Sequence, residues 1–97
     1  MKTKSRSKHL HVVKRRGHTE EYNDKKVYAS VYSAALNCEY GEIKAEKIAK
    51  TITKEITSWI KNKKQVASND IRLQITSYLK KIDEDVALMY RHHLDLS

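Results

Sequence analysis

Two pairs of basic residues near the start of the chain carry the side chains best suited to ligand chemistry. Lys14-Arg15 follows two valines, and Lys25-Lys26 follows Asn23-Asp24, residue types that commonly begin a helix. Lysines in a first helical turn are unusual, because the helix dipole disfavours them there by roughly 0.3 kcal/mol or more. Together with the unpaired N–H groups of a helix start, these cations would attract an anion. We therefore expect a phosphate-bearing ligand between a hairpin and the helix behind it.

Composition alone favours a simpler explanation, a solvated basic patch. Side chains alternate along a strand, so Lys14 and Arg16 would share one face and Arg15 would point to the other. Spacing therefore does not establish that Lys14 and Arg15 contact the same ligand.

No arrangement of residues indicates an enzyme or a metal site. Cys38 is the only cysteine and lies on the apolar side of a predicted helix. The close histidine pairs, His9-x-His11 and His92-His93, have no obvious third ligand nearby. Asp83-Glu84-Asp85 is typical of a helix start, and the phosphate-loop glycine pattern is missing. We expect a non-enzymatic protein without a bound metal.

The net charge of +8 originates at the beginning of the chain. Residues 1–16 contain seven of the 20 Lys and Arg and none of the 12 Asp and Glu. Residues 1–9 have no apolar residue after Met1 and are predicted to be a disordered basic arm, with one domain over residues 10–97. The arm supports an alternative hypothesis, a small nucleic-acid-binding protein that contacts phosphates through residues 1–16. No apolar run approaches a signal peptide or membrane span, so we expect a soluble, cytoplasmic protein.

Apolar periodicity predicts the elements that must position these residues. Two strands, residues 10–15 and 18–22, would flank a turn at Arg16-Gly17. Helices are predicted at about residues 24–37, 44–61 and 69–81, with a last short helix that opens at Asp83-Glu84-Asp85. Residues 65–67 form a short link that could pair as a third strand. The predicted fold class is α+β: a four-helix cluster capped by a small two- or three-stranded sheet that includes the N-terminal β-hairpin.

The order of residues resembles the ATP-cone, an adenine-nucleotide-binding regulatory domain. This domain occurs at the N-terminus of many ribonucleotide reductase large subunits and in the transcriptional repressor of their genes. The resemblance begins at residues 12–17 and continues through Glu20, Tyr22, Asn23, Lys26 and Val27. It extends through Ser68-Asn69-Asp70-Ile71, at the start of the third helix, and through residues 83–87 and Tyr90. In all it covers about residues 10–94.

The resemblance implies ATP or dATP as a regulatory ligand, with Mg²⁺ as an accompanying ion. Backbone groups of two valines would lie near the base, with Tyr22 and Val27 as its walls. Glu20 and Asn23 would lie near the sugar or base, and cationic side chains together with Ser68 would face the phosphates. By position, the implied ATP-binding residues are Val12, Val13, Lys14, Arg15, Glu20, Tyr22, Asn23, Lys26, Val27, Ser68 and Arg72.

The implied function is non-catalytic control by a nucleotide, exerted on oligomerisation, on a partner protein or on a fused domain. The turn departs from the family pattern, because Arg16-Gly17 stands where most members have Asp-Gly. The zinc-binding cysteines of the repressor are missing from this sequence.

Overall fold

Four helices and three short strands follow one another along residues 11–13 and 19–96, the part of the chain that the computed structural model describes. Side chains are described for residues 12 and 21–92. In chain order the elements are β1 (His11–Val13), β2 (Thr19–Glu21), α1 (Asp24–Leu36), α2 (Glu42–Trp59), β3 (Gln65–Ala67), α3 (Ser68–Ile82) and α4 (Glu84–Leu96). The predicted turn at Arg16-Gly17 and the predicted basic arm lie outside the described residues.

Strand β1 lies between the other two strands. It pairs antiparallel with β2 and parallel with β3, with Val12 opposite both Glu20 and Val66. Val13 pairs with Ala67, and Ser68 begins α3 immediately afterwards. The end of β1 and the start of α3 are therefore neighbours, although 54 residues separate Val13 from Ala67 in sequence. This register determines which residues surround the functional site.

The predicted α+β class, a helix cluster capped by a sheet, is wrong, because the described chain is mainly α-helical. The helices contain 13, 18, 15 and 13 residues, whereas each strand contains three. The strands are also shorter than the predicted residues 10–15 and 18–22. In a strand only alternate residues face the helices, and Val12 and Val66 are the buried strand side chains among those described. Three residues per strand are too few to build a layer over the helices, so the helices supply nearly all of the core.

Helices α1 and α2 pack against each other through stripes of small and branched side chains. The isoleucines that recur at four-residue intervals along α2 and its C-cap residue are all buried: Ile48, Ile52, Ile56 and Ile60. Val31, Ala34 and Ala35 of α1 are fully buried. This apolar periodicity identified the buried faces of both helices correctly.

The junction between α1 and α2 differs in detail from the prediction. Gly41 lies between the two helices, has an ordinary φ of −66° and is the residue before α2. The left-handed conformation occurs at Glu39, with φ of 65°. A non-glycine residue rarely adopts this conformation, and no sequence signal marked Glu39 for it. Helix α2 accordingly begins at Glu42, two residues before the predicted start.

The helix starts divide into those with a side-chain cap and those without one. Asn23 caps α1 as predicted, since its Oδ1 accepts the backbone N–H of Lys25 at 2.9 Å. Asp83 caps α4 through Oδ1, which accepts the N–H groups of Asp85 and Val86. The predicted cap of α3 within Ser68-Asn69-Asp70 is wrong, because Ala67 is the cap residue and makes no side-chain cap bond. Helix α3 thus begins without a side-chain acceptor for its first N–H groups.

Candidate functional site

A cavity of about 210 Å³ lies where β1, the start of α1, the first half of α3 and α4 meet. Helix α2 contributes no residue to its lining. The residues that line the cavity are Val12, Glu21, Tyr22, Asn23, Lys26, Val27, Ser30, Ser68, Ile71, Arg72, Ile75 and Tyr90.

The walls of the cavity are apolar and come from three different elements. Val12 of β1, Val27 of α1, and Ile71 and Ile75 of α3 are all buried residues of the hydrophobic core. Core residues surround the cavity because the β1–β3 register brings the start of α3 beside β1. A flat apolar group would find contacts on more than one side here.

Three polar lining residues come from the starts of two helices, and Glu21 of β2 adds one carboxylate to the lining. Lys26 lies in the first turn of α1, and Ser68 and Arg72 lie in the first turns of α3. Ser68 and Arg72 therefore lie at the N-terminus of α3, whose cap residue makes no side-chain cap bond, and Lys26 adds a second cation to the lining of the same cavity. This combination of donors and positive charge suits an anion.

A pair of hydroxyl groups provides polar character among the apolar walls. Tyr90 of α4 is 3% exposed, and burial raises the pKa of its phenol to about 12, while Arg72 and a hydrogen bond with Ser30 act in the opposite direction. The Ser30 hydroxyl also donates to the carbonyl of Val27 at 3.0 Å. Tyr90 is therefore a neutral hydroxyl at physiological pH, able to donate or accept a hydrogen bond.

Tyr22 forms a wall of the cavity and also connects it to α2. Its hydroxyl lies 3.1 Å from the Thr57 Oγ1, close enough for a hydrogen bond. Burial is the main cause that raises the pKa of the Tyr22 phenol, with the Thr57 bond opposing and Asp24 reinforcing this shift. The ring is thus held at one end by α2 while it contributes to the cavity lining.

The structure places many of the predicted ligand-binding residues around this one cavity. The predicted residues that line it are Val12, Tyr22, Asn23, Lys26, Val27, Ser68 and Arg72. Val13 and Glu20 are placed by their backbones in β1 and β2, and their side chains lie outside the described set. Lys14 and Arg15 lie outside the described residues. The nucleotide contacts of all these residues stay predictions.

Sequence reasoning missed five lining residues, Glu21, Ser30, Ile71, Ile75 and Tyr90. Ile71, Ile75 and Tyr90 lie on apolar helix faces; Ile71 and Tyr90 were positions of the family resemblance, but none of the three was assigned a ligand contact. Ser30 lies four residues after Lys26, so helical spacing would have placed it on the same face. Glu21 gave no signal that distinguished it from Glu20.

The fold and the cavity indicate a class of protein: small, mainly helical domains that bind a ligand in an apolar cavity with cations at two helix starts. The family of the ATP cone domain matches residues 10–95, nearly the whole chain. The chain belongs to the ATP-cone family, and the domain it contains is a regulatory, non-catalytic, nucleotide-binding domain whose ligands are adenine nucleotides. No curated protein shows significant similarity to the chain.

Two further findings concern the described part of the chain. None of its helices is both long enough and apolar enough to cross a membrane. Among the residues whose side chains are described, no group of three or more His, Cys, Asp or Glu could hold a metal ion.

Proposed function

We propose that the chain binds ATP or dATP in the cavity between β1, α1, α3 and α4, and that binding controls oligomerisation, a partner or a fused domain. The observation that carries this proposal is the convergence of seven residues, implied by the family resemblance, on one cavity. These residues come from β1, the β2–α1 segment, α1 and α3. Such convergence of distant positions is what a binding site requires.

The adenine base would occupy the apolar part of the cavity. Its volume of about 210 Å³ is below the roughly 300–1,000 Å³ of pockets that enclose a whole ligand, so it suits the base better than an entire nucleotide. Val27 and Ile71 would pack on the ring, and the hydroxyls of Ser30 and Tyr90 would meet its polar edge. A hydroxyl pair that donates and accepts matches the amino group and ring nitrogens of adenine.

The phosphates would extend from the cavity along the start of α3. Lys26, Arg72 and Ser68 lie there, and the first N–H groups of α3 have no side-chain cap. A phosphate would satisfy these groups and interact favourably with the helix dipole. Mg²⁺, where it accompanies the nucleotide, would be bound by the phosphates. Lys14 and Arg15 would add charge from the segment after β1.

Regulation follows if the nucleotide binds one state of the molecule more tightly than another. A ligand that touches α1, α3 and α4 would fix their relative positions, which changes the surface that these helices offer to another chain. The apolar residues Leu73 of α3 and Leu88 of α4 are 61% and 68% exposed and lie on two of these helices. Such a change would alter self-association or contact with a partner.

Calorimetric titration with ATP, dATP and GTP tests the proposal on the full chain. Lys26→Ala removes a cation that lines the cavity, and Lys25→Ala removes its exposed neighbour, which does not line it. We expect Lys26→Ala to weaken ATP binding about tenfold and Lys25→Ala to change it little, because hydrogen bonds to charged groups contribute roughly 1.5–3 kcal/mol. The proposal fails if neither ATP nor dATP binds at millimolar concentration, or if both variants lose affinity equally.

A further inference from the structure

A second concave surface lies on the opposite side of Tyr22, between α1 and α2. We call it the lysine groove; its volume is about 450 Å³, and its lining residues are Asp24, Tyr28, Lys50, Thr53, Lys54, Thr57, Ser58 and Lys61. It shares no lining residue with the cavity described above. It is also the larger of the two spaces.

The groove carries a net positive charge. Lys50 and Lys54 lie four residues apart on α2, which places them on one helix face, and Lys61 follows just after the helix ends. Asp24 is the one carboxylate in the lining. Three ammonium groups against one carboxylate make a field that attracts an anion.

A buried hydroxyl in the groove lacks a hydrogen-bond partner. The Oγ1 of Thr53 is buried. Among the buried side-chain nitrogen and oxygen atoms in the described part of the chain, it is the one that has no hydrogen-bond partner. Hydroxyls elsewhere in the helices bond a preceding carbonyl; the Thr76 Oγ1, for example, donates to the carbonyl of Arg72 at 2.9 Å. An unpaired buried hydroxyl lowers stability unless a ligand or water satisfies it.

An aromatic pair forms one side of the groove. The rings of Tyr28 and Tyr32 are stacked, with centroids 5.9 Å apart and planes 14° from parallel. Tyr28 lines the groove, and Tyr32 lies beyond it, toward Glu42 and Glu46. Burial is the main cause that raises the pKa of the Tyr32 phenol, and the two glutamates add to this shift. The two glutamates place negative charge beyond the groove on the Tyr32 side.

We propose that the lysine groove is a second binding site, which takes a small phosphate-bearing anion. Lys50, Lys54 and Lys61 hold its charge, and the hydroxyls of the exposed residues Thr57 and Ser58 supply hydrogen bonds. The groove volume lies within the roughly 300–1,000 Å³ of small-molecule sites.

The length of the groove argues for a small anion over a nucleic-acid backbone. Residues 50 to 59 of α2 extend over roughly 14 Å of helix, and Glu42 and Glu46 on the Tyr32 side would repel a phosphate chain that continued past it. A compact ligand with one to three phosphates uses all three lysines and avoids this repulsion.

Site-resolved NMR titration of the full chain with tripolyphosphate tests the proposal. The amides of Thr53 and Thr57 report on the groove, and those of Ser68 and Ile71 report separately on the nucleotide cavity. Lys50→Gln/Lys54→Gln removes two groove cations, and Lys47→Gln/Lys80→Gln is the matched control, since it makes the same charge change at two exposed lysines outside both sites. Thermal unfolding verifies that each variant is folded.

We expect tripolyphosphate to shift the resonances of the groove amides. The groove variant should bind it about fivefold more weakly, because it loses two solvent-exposed ion pairs with the ligand. The control pair should leave the groove affinity unchanged, and added salt should weaken it. The proposal is overturned if the resonances of the groove amides do not shift at millimolar tripolyphosphate, or if both variants lose groove affinity equally. It is also overturned if a short oligonucleotide, but not tripolyphosphate, shifts them. If the amide of Ser68 does not shift while the groove amides do, ligand binding in the cavity fails and the evidence for binding in the lysine groove stands.

Discussion

Asn23 has two roles at the residue scale, because its side chain caps α1 and the residue also lines the cavity proposed to bind the nucleotide. Asn23→Ala should cost about 1 kcal/mol of stability through loss of the cap. Asn23→Asp keeps a capping oxygen but adds a negative charge to the lining of a cavity proposed to hold an anionic ligand, so ATP affinity should fall about tenfold or more while stability is retained. Urea unfolding and calorimetric titration measure the two effects. Unchanged ATP binding by Asn23→Asp would place the nucleotide elsewhere.

Thr53 provides a stability prediction at the same scale. Replacing an unsatisfied buried hydroxyl by a methyl group of similar size removes a desolvation cost, so Thr53→Val should stabilise the ligand-free protein by about 1 kcal/mol. Thr57→Val is the contrasting variant, because it removes a hydroxyl within bonding distance of Tyr22. Chemical denaturation in phosphate-free buffer measures both. A destabilised Thr53→Val would mean that the hydroxyl has a partner in solution.

Residue order predicted more of the candidate site than residue chemistry did. The motif resemblance selected Val12, Lys26, Val27, Ser68 and Arg72, which are far apart in sequence and line one cavity. The buried hydroxyl of Tyr90 was missed, because an aromatic on an apolar stripe looks the same whether it fills the core or faces a cavity. Only the packing of α4 against α1 and α3 distinguishes the two cases.

At the element scale, Tyr40 ties the α1–α2 junction to the start of α4. Its hydroxyl donates to the Asp83 Oδ2 at 2.5 Å, while the Asp83 Oδ1 caps α4 and Lys44 lies over the Tyr40 ring at 4.0 Å. The hydrogen bond to Asp83 is the main cause that raises the pKa of Tyr40 to about 12, and the same bond lowers the pKa of Asp83. One contact therefore influences stability at both ends of the pH scale.

The signs of the two pH effects follow from these shifts. The pKa of Tyr40 is raised from 10.0, so its contribution is present below pH 10 and is lost as the pH rises toward 12. The pKa of Asp83 is lowered from 3.8, so its contribution is present above pH 3.8 and is lost below it. Tyr40→Phe and Asp83→Asn should each flatten both limbs of the stability profile, because each removes the charged hydrogen bond that is the main cause of both pKa shifts. Urea unfolding across pH measures the slopes, and a Tyr40→Phe profile parallel to that of the native chain would contradict this account.

Apolar periodicity predicted all four helices, but the predicted strands were too long and the predicted start of α3 was wrong. The stripe Ile48, Ile52, Ile56 repeats over many residues, so errors at single positions cancel. A strand of three residues offers no such repeat, and its pairing depends on distant residues, as Val12 with Val66 shows. The start of α3 was misplaced because Ser68 has a capping side chain, yet the β1–β3 pairing ends at Ala67 and the helix begins at once.

At the scale of the whole molecule, α1 lies between two spaces that use different neighbours. The nucleotide cavity is lined from α1, α3 and α4, whereas the lysine groove is lined from α1 and α2. Tyr22 connects the two, because it lines the cavity and its hydroxyl lies within bonding distance of Thr57 in the groove. A nucleotide in the cavity would therefore restrain α1, α3 and α4 directly and reach α2 only indirectly, through its packing against α1 and through Tyr22.

Hydrogen exchange tests this unequal restraint. With saturating ATP, the locally exchanging amides of α1, α3 and α4 beside the cavity should slow markedly, and those of α2 should change less, because α2 contributes no residue to the cavity lining. Tyr22→Phe removes the hydroxyl that approaches Thr57 and should reduce the remaining protection in α2 while the protection in α3 persists. GTP at the same concentration is the ligand control. Equal slowing across all four helices would show that ATP acts only by raising global stability, and the division of the molecule around α1 would then be wrong.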